Sequence, residues 1–573
     1  MYDPEQQRQE IENIQRAVSE SLKARRSFRV SKRTARGFKS QSPVSNVPED
    51  AASRLTHAYQ SQLSLEAQFQ GQSTNDKVNV ATPLPVRDPW PSSFTACRQP
   101  AVHTLANPSR RSSPKGLDEE KRAFQPSLPP LPPVLPSIGQ QQATSEKDFS
   151  VIMNYLDNIF PLQFYFYQPS ASDRGRGWLL ALILRSKSAY YTTLAFASLT
   201  NIIFQHGGDS SAQPGPSKKL NEHHTLAITE LQEPLERLST ISGSAELLRT
   251  GAEILACIIQ LLSIEVFRET KYFKGYKNDW EFHLDAASTV LWVIENGLSQ
   301  ESTSLALPIV SEDDISRLPE SSLGDIIGLN FYMTTYVWAD ILRCACFGLR
   351  PSASPSLEYL THLEDGTIRL EQLMGCRNWA MIAIREIADL EAWKIDMQRH
   401  STLDIPMLYR KGAAIESRLA NGLKSLKTPA IEQAYIDQIS DLTTEIYALS
   451  AQIYLSIVLS GNSPCIPAIR LTVASCLTAI KALPQHLIVR IALPFCIAGC
   501  MASDEEKDSF RTILEAAEAA GYPLGMLWNS LDVMEEFWEM RDGGKPDPKP
   551  YSGNSGCPWT IAMERMGRKS LLI

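Results

Sequence analysis

The feature of this sequence that most constrains its fold is a long succession of segments in which apolar residues recur every three or four positions. That spacing places apolar side chains on one face of an α-helix. No run alternates between apolar and polar as a half-buried strand requires, and no fixed repeat of about 33 to 47 residues marks a helical solenoid. The segments span residues 220–240, 244–270, 278–297, 323–348, 355–374, 377–400, 410–424, 428–460, 465–482, 484–502, 505–519 and 525–541. We therefore predict an all-α fold with one large, irregular multi-helix domain over residues 148–573.

The stretch from Leu373 to Asp396 is the densest in strong helix formers, aromatic residues and interior charges. Gly375 is the predicted pivot before the helix. The predicted apolar face contains Trp379, Ala383, Ile387 and Leu390, widened by Cys376, Ala380 and Ile384, and the opposite face carries Arg377, Arg385, Asp389 and Asp396. Glu391 and Lys394 fall inside the apolar sector at i,i+3 spacing, which predicts an ion pair that fixes helix register. We expect this helix to be central to the core, so that Trp379→Ala costs about 3–5 kcal/mol.

The first 147 residues have a different composition. Residues 1–40 combine a short polar helix with a basic segment, whose positive residues are Lys23, Arg25, Arg26, Arg29, Lys32, Arg33, Arg36 and Lys39. That segment predicts nuclear import or contact with a nucleic-acid backbone, the alternative being a solvated disordered tail. Residues 41–147 are rich in Pro, Ser and Gln and include a polyproline II run, which predicts a disordered linker.

Two local predictions concern the start of the helical domain. A helix that begins near Phe149 is expected to stop at Phe160-Pro161, followed by an extended aromatic connector, LQFYFY, that packs on the core. Residues 178–206 are expected to form two helices with a break between Ser186 and Ala189.

The ten cysteines form no C-x-x-C pair, and several lie in apolar helical sequence, which favours buried, reduced thiols. The polar N-terminus predicts no signal peptide. The most apolar run, residues 491–502, contains Pro494 and is too short to cross a bilayer. These features predict a soluble intracellular protein that does not associate with membranes.

A search for catalytic chemistry finds no glycine-rich phosphate loop, no nucleophile elbow and no zinc-protease motif. His223-His224 is expected to be a solvated pair rather than a metal site. Glu312-Asp313-Asp314 could hold magnesium in an isoprenoid cyclase but fits helix capping equally well, and ligands expected after Asn278-Asp279 are replaced by Phe282 and Ala286. We therefore predict no enzyme activity, no metal and no cofactor.

Several polar and aromatic residues on apolar helices are interpreted as structural framework, because satisfied core residues are more common than ligands. They are Trp178, Trp280, His283, Trp379, Glu391, Trp393 and Lys394. Most of the tryptophans, including Trp338, are expected to lie in the core.

Ordered motifs across residues 150–573 resemble the fungal-specific transcription factor domain, the helical regulatory region that follows a binuclear zinc cluster in many fungal activators. The motifs lie at Tyr155–Phe164, Gly175–Leu180, Trp280–Ala287, Trp338–Ile341, Gly375–Trp379 with Ile387–Lys394, Pro494–Ala502, Val533–Trp538, Trp559, Met563 and Leu571–Ile573. The resemblance implies a nuclear transcriptional regulator of metabolic or biosynthetic-cluster genes. It also implies that a small molecule or partner shifts the populations of the helical domain.

The zinc cluster of that family needs six cysteines, and Cys97 is the only cysteine before Cys257. Three explanations stay open: a regulator without a cluster, a gene model that lacks its first exon, or a member that works through a partner. Expected partners are the transcription machinery or another regulator, with DNA contact through the basic segment and with homo- or heterodimers as options. The alternative function is a helical adaptor that binds protein and never DNA.

Overall fold

The computed structural model describes residues 146–169, 175–206, 218–268, 279–300, 320–348, 359–427, 434–522, 524–543 and 556–573. Val151–Ile573 belongs to one compact unit. Within the described ranges every regular element is helical, which confirms the all-α prediction. The predictions for residues 1–40 and for most of 41–147 lie outside the described residues.

The helices follow one another along the whole described chain. In order they are α1 (Glu146–Asn154), α2 (Phe160–Gln163), α3 (Gly177–Arg185), α4 (Lys187–His206), α5 (Lys218–Leu238), α6 (Ser244–Arg268), α7 (Trp280–Gln300), α8 (Glu320–Phe347), α9 (Tyr359–Glu364), α10 (Glu371–Met374), α11 (Asn378–Arg399), α12 (Ile405–Leu426), α13 (Tyr435–Ser460), α14 (Pro467–Ala482), α15 (Ala492–Cys500), α16 (Asp504–Ala519), α17 (Gly525–Asp542) and α18 (Pro558–Met566). A π-helical segment, Tyr155–Ile159, joins α1 to α2, and a 3-10 segment, Gln485–Ile491, precedes α15.

The prediction that the first helix stops at Phe160-Pro161 is wrong. The π-helical turn widens the helix, so that the Phe160 N–H donates to the carbonyl of Tyr155, and the chain continues as α2 with proline in its first turn. A proline in the first turn of a new helix costs no hydrogen bond. The aromatic segment that follows packs on the core as predicted, with Phe164 and Phe166 buried, but it forms a turn rather than an extended connector.

Consecutive helices pack against one another in pairs, as their short connections favour. Close pairs are α4 with α5, α6 with α7, α11 with α12, α13 with α14 and α17 with α18. Helix α8 connects earlier helices with later ones, because it packs on α3 and α6 and also on α11. The predicted break in residues 178–206 is confirmed at Ser186, between α3 and α4.

A left-handed glycine sets the approach to α11. The predicted segment 355–374 divides into α9 and α10, and Gly375 ends α10 with a φ of +75°. A Cβ at Gly375 would lie 2.2 Å from the ring of Phe166. Only glycine combines that backbone conformation with such a close approach, so the predicted pivot is confirmed.

Two helices, Ser244–Arg268 and Tyr435–Ser460, are long and apolar enough to cross a bilayer. Their most apolar windows are 78% and 72% buried inside the fold. Both are therefore read as core helices, because burial against protein accounts for their composition.

Candidate functional site around helix α11

Helix α11 lies in the core between Ala380 and Glu391, as predicted, but two details of the prediction are wrong. Ala383, Ile387 and Leu390 are buried, whereas Trp379 and Trp393 are only partly buried and pack against the edge of the core. Arg385, predicted on the solvent face, is 4% exposed. Helical periodicity predicted the position of α11 correctly. Arg385 is buried because α9 packs against part of the face that the sequence predicts to be polar.

Arg385 belongs to a buried polar network between α8, α9 and α11. Its Nε donates to the hydroxyl of Tyr359 at 3.1 Å, and its Nη1 forms an ion pair with Asp389. The same Tyr359 hydroxyl donates to Asp340 at 2.9 Å, and Asp340 pairs with Arg343 at 2.5 Å. Each charge in the network has an opposite charge beside it, the condition under which buried ions are tolerated.

Glu391 lies at the centre of a second buried cluster, near the C-terminal half of α11. Its Oε2 accepts a hydrogen bond of 2.5 Å from the hydroxyl of Tyr454, and Cys557 also donates to its carboxylate. Burial raises the pKa of Glu391 above its ordinary value, and these hydrogen bonds only partly oppose the shift. The cluster ties α11 to α13 and to the start of α18.

The predicted ion pair between Glu391 and Lys394 does not form. Among the described residues no contact within 4.0 Å joins the two charges. The Lys394 Nζ donates instead to the carbonyl of Val458 at 2.6 Å, and burial lowers the pKa of Lys394. An i,i+3 spacing permits a pair but does not require it, and α13 offers both side chains better partners.

A cleft opens at the N-terminal end of α11, where α9, α12 and the N-terminal end of α13 converge. Its volume is about 660 Å³. The indole of Trp379 and the side chains of Leu363 and Ile382 supply apolar lining. The charged lining consists of three arginines and three carboxylates, and each arginine has a carboxylate partner, Arg369 with Glu371, Arg377 with Asp441 and Arg418 with Glu386. The cleft is open to solvent, and its lining mixes apolar, positive and negative side chains.

The wall of the cleft is held by the side chain of Asn378. Its Nδ2 donates to the carbonyls of Leu363 and Ile368, at 2.8 and 2.5 Å, and its Oδ1 accepts from the N–H of Leu370. Three hydrogen bonds to one side chain fix the loop between α9 and α10 against the start of α11. The cleft therefore has a preformed wall.

The other predicted framework residues lie in the core. Trp178 and Trp280 are buried, and their indole N–H groups donate to the hydroxyl of Tyr167 and to the carbonyl of Lys569. Trp338 is also buried. His283 is fully buried, and burial lowers its pKa to about 3, so the ring is uncharged at neutral pH. The eight basic residues of segment 23–39 lie outside the described residues.

The candidate metal and catalytic groups are not brought together. His224 is buried rather than solvated, with its Nε2 3.9 Å from the carboxylate of Glu265, so the prediction of a solvated His223-His224 pair is wrong for His224. Among the described residues no group of three His, Cys, Asp or Glu side chains could hold a metal ion. Glu312-Asp313-Asp314 lies outside the described residues. Eight of the nine described cysteines are buried and free, as predicted, and Cys465 is exposed.

Sequence reasoning missed Tyr454 and Cys557 as partners of Glu391, and it missed the cleft. Tyr454 lies 63 residues from Glu391, and neither carries a local motif. The arginines of the cleft come from separate segments and look like ordinary helix-surface charges. A signal for Glu391 did exist, namely a carboxylate on an apolar face, which implies a buried partner.

The described residues form an all-helical domain, and comparison of the sequence with known families identifies its class. Residues 150–573 match the model of the family described as "Fungal specific transcription factor domain". Because the match covers more than half of the chain, the protein belongs to that family.

Curated relatives agree with that assignment. The chain is 31% identical over 409 residues to "Trichothecene biosynthesis transcription regulator TRI10" of Trichoderma arundinaceum, an alignment covering 70% of this chain and 93% of the relative. It is 30% identical over 432 residues to "Transcription factor dibT" of Pestalotiopsis microspora, covering 68% and 66%. It is 26% identical over 441 residues to "ustiloxin B cluster transcription factor ustR" of Aspergillus flavus, covering 75% and 73%. No solved structure matches the chain.

Proposed function

We propose that this protein is a nuclear regulator that controls transcription of a biosynthetic gene cluster, and that its helical domain acts through contacts with other regulatory proteins. One observation carries the proposal. The aligned region makes up 93% of the TRI10 protein of T. arundinaceum, so a relative named as a biosynthesis regulator consists almost entirely of sequence alignable to this chain. We therefore assign the regulatory role to the helical domain itself.

Deletion of the gene in the fungus that carries it tests this function. RNA sequencing of the deletion strain should show that transcripts from one group of neighbouring biosynthetic genes change together, and reintroduction of the gene should restore them. A control strain expressing residues 1–147 alone should not restore them. Unchanged transcripts from every biosynthetic cluster under producing conditions would refute the proposal.

Nuclear localisation is proposed from the basic segment 23–39, which carries eight positive and no negative residues. A fluorescent fusion of the full chain should concentrate in the nucleus, and replacement of the eight residues by glutamine should disperse it. A matched control replaces eight of the basic residues that follow Ser40. Equal nuclear signal from both variants would show that the basic segment is not what directs the protein to the nucleus.

Direct DNA contact separates a regulator that binds DNA from the adaptor alternative. If all eight cations contact phosphates, the logarithm of the binding constant of the full chain should fall with the logarithm of salt concentration with a slope of about −7. A fluorescence anisotropy titration on duplex DNA at several salt concentrations measures that slope. Absence of binding at the lowest salt would favour the adaptor, which reaches promoters only through a partner.

A further inference from the structure

We infer that the surface formed by Tyr165, His486, Arg490 and Tyr522, here called the Arg490 surface, binds an acidic segment of a partner protein. A carboxylate of the partner would pair with the guanidinium group of Arg490, and a neighbouring aromatic side chain would pack against the rings. The inference rests on the proposed function, which assigns regulation to contacts between the helical domain and other proteins. The binding itself is measured on the purified chain.

Arg490 is a partly buried cation without an opposite charge beside it. Burial lowers the pKa of Arg490 to about 10, so the side chain is still charged at neutral pH. Among the described residues no carboxylate pairs with it. The three arginines that are fully buried each pair with one, Arg268 with Glu265, Arg343 with Asp340 and Arg385 with Asp389. A desolvated charge without a partner costs free energy, which a carboxylate from outside the chain would recover.

The guanidinium group of Arg490 is held in position and is still reachable from solvent. Its Nη1 donates to the carbonyl of Gln163 at 2.6 Å, and the hydroxyl of Tyr447 donates to the carbonyl of Arg490 at 2.9 Å. The Nη2 makes no hydrogen bond within the described part of the chain and, unlike the Nε, is not buried. A carboxylate can therefore pair with the Nη2 without displacing a contact of the fold. Because the side chain is already fixed, little conformational entropy is lost on binding.

Three aromatic rings lie beside this cation. The ring centroid of His486 lies 5.5 Å from that of Tyr165 and 6.1 Å from that of Tyr522. Burial and the nearby charge of Arg490 lower the pKa of His486, so this ring is uncharged at neutral pH. All three rings are only partly buried. Tyrosine and arginine are enriched among the residues that carry most of the binding energy at protein interfaces, because each joins a large contact area to a directed polar group.

The charge of the surface determines the class of partner. One guanidinium group stands among three uncharged rings, so a single carboxylate next to an aromatic side chain matches it. A nucleic-acid backbone is bound by several cations along its length, and this surface provides one.

The test uses the purified full chain and the tripeptide Asp-Phe-Asp with blocked ends, whose binding is followed by ligand-observed NMR. Two matched peptides, Asn-Phe-Asn and Asp-Ala-Asp, remove the charge and the ring in turn. At about 10 mM peptide, a Kd of about 1 mM would give roughly 90% saturation. We expect the neutral peptide to bind about tenfold more weakly, and the peptide without the ring several-fold more weakly. Equal binding of the acidic and the neutral peptide would overturn the inference.

Variants test the assigned cation. Arg490→Gln should weaken binding of the acidic peptide about tenfold and leave the neutral peptide unaffected, and Arg490→Lys should keep part of the affinity because it keeps the charge. Arg410→Gln is the matched control, because Arg410 also has no carboxylate partner among the described residues but is exposed on α12. Circular dichroism checks that each variant is folded, and the comparison of peptides on the wild-type chain needs no variant. Wild-type affinity in Arg490→Gln would refute the assignment.

Other occupants of the Arg490 surface have their own signatures. Phenylacetate that binds as tightly as the acidic peptide would indicate a site for free organic acids. A dimer in sedimentation experiments that Arg490→Gln dissociates would indicate a second copy of this chain. Either result would overturn the inference of a partner segment.

The transcript experiment separates this inference from the proposed function. A strain that carries Arg490→Gln should show the same altered transcripts as the deletion strain, in weaker form. Normal transcripts in that strain would refute a role of the Arg490 surface and leave the proposed function standing. Unchanged transcripts in the deletion strain would refute the proposed function, whatever the peptides bind.

Discussion

The two ends of helix α11 treat polar groups in opposite ways. In its C-terminal half, Glu391 is buried and Lys394 is partly buried, and each has a hydrogen-bond partner on α13. At its N-terminal end, three arginines face an open cleft, and the indole N–H of Trp379 has no acceptor among the described residues. Each of these arginines has a carboxylate partner, Glu371, Asp441 or Glu386, so the charges at this end are also matched within the chain, but they lie against water. One helix therefore has a buried end and a solvent-facing end.

The largest expected change in stability comes from replacing a tryptophan, and two tryptophans, one near each end of α11, can be compared. Trp559 is fully buried beside Tyr454, and its indole N–H donates to the carbonyl of Ala345 at 3.0 Å. We expect Trp559→Ala to lower the free energy of unfolding by about 4 kcal/mol. Trp379→Ala should cost only about 1–2 kcal/mol, because the ring is partly exposed in the cleft, which revises the larger cost inferred from sequence.

Urea denaturation followed by far-UV circular dichroism measures both changes. An equal or larger loss for Trp379→Ala would mean that the cleft end is as structural as the Glu391 end, and the distinction would fail.

The next largest change in stability is expected at the turn that leads into α11. Gly375→Ala introduces a left-handed alanine whose Cβ would lie 2.2 Å from Phe166, and we expect a loss of about 3 kcal/mol. Gly366→Ala is a matched control, because Gly366 has a φ of +78° and open space around it, and it should cost only about 1–2 kcal/mol. The difference between their denaturation free energies isolates the contact with Phe166. Indistinguishable losses would show that Phe166 moves aside without cost.

The stability of the buried end should also depend on pH. Because burial raises the pKa of Glu391 above 4.5, the folded state retains a proton that the unfolded state has released. Stability is therefore lost as pH rises from about 4.5 to the raised pKa, by about 1.4 kcal/mol for each pH unit in which the two states differ by one proton. Above the raised pKa this loss is complete and constant.

Glu391→Gln removes that proton exchange while leaving an acceptor for Tyr454. Relative to wild type, the variant should gain stability as pH rises from about 4.5 towards neutrality. Glu416→Gln, on an exposed position of α12, should follow the wild-type curve. Denaturation at a series of pH values measures the difference, and a gap between Glu391→Gln and wild type that stays constant with pH would exclude an uncharged Glu391.

These comparisons show what sequence could and could not predict. Helical periodicity predicted the all-α class, the break at Ser186 and the pivot at Gly375, because each depends on residues within one or two turns. It failed at Pro161, where a π-helical turn let the helix continue, and at Glu391, whose partners come from distant α13 and α18. The cleft requires Leu363, Arg377 and Arg418 to converge, and that arrangement follows only from how whole helices pack.

The smallest effect tests the ion pair at the rim of the cleft. Arg418 binds Glu386 through two hydrogen bonds, at 3.2 and 3.0 Å, and both side chains are about one-third exposed. A double-mutant cycle with Arg418→Gln and Glu386→Gln should give a coupling free energy of about 0.5–1 kcal/mol that shrinks as salt is added, because water and ions screen a pair at this exposure. A coupling above about 2 kcal/mol, insensitive to salt, is the behaviour of a buried pair. It would mean that the pair between Arg418 and Glu386 holds this end of α11 as firmly as the buried contacts of Glu391 hold the other end.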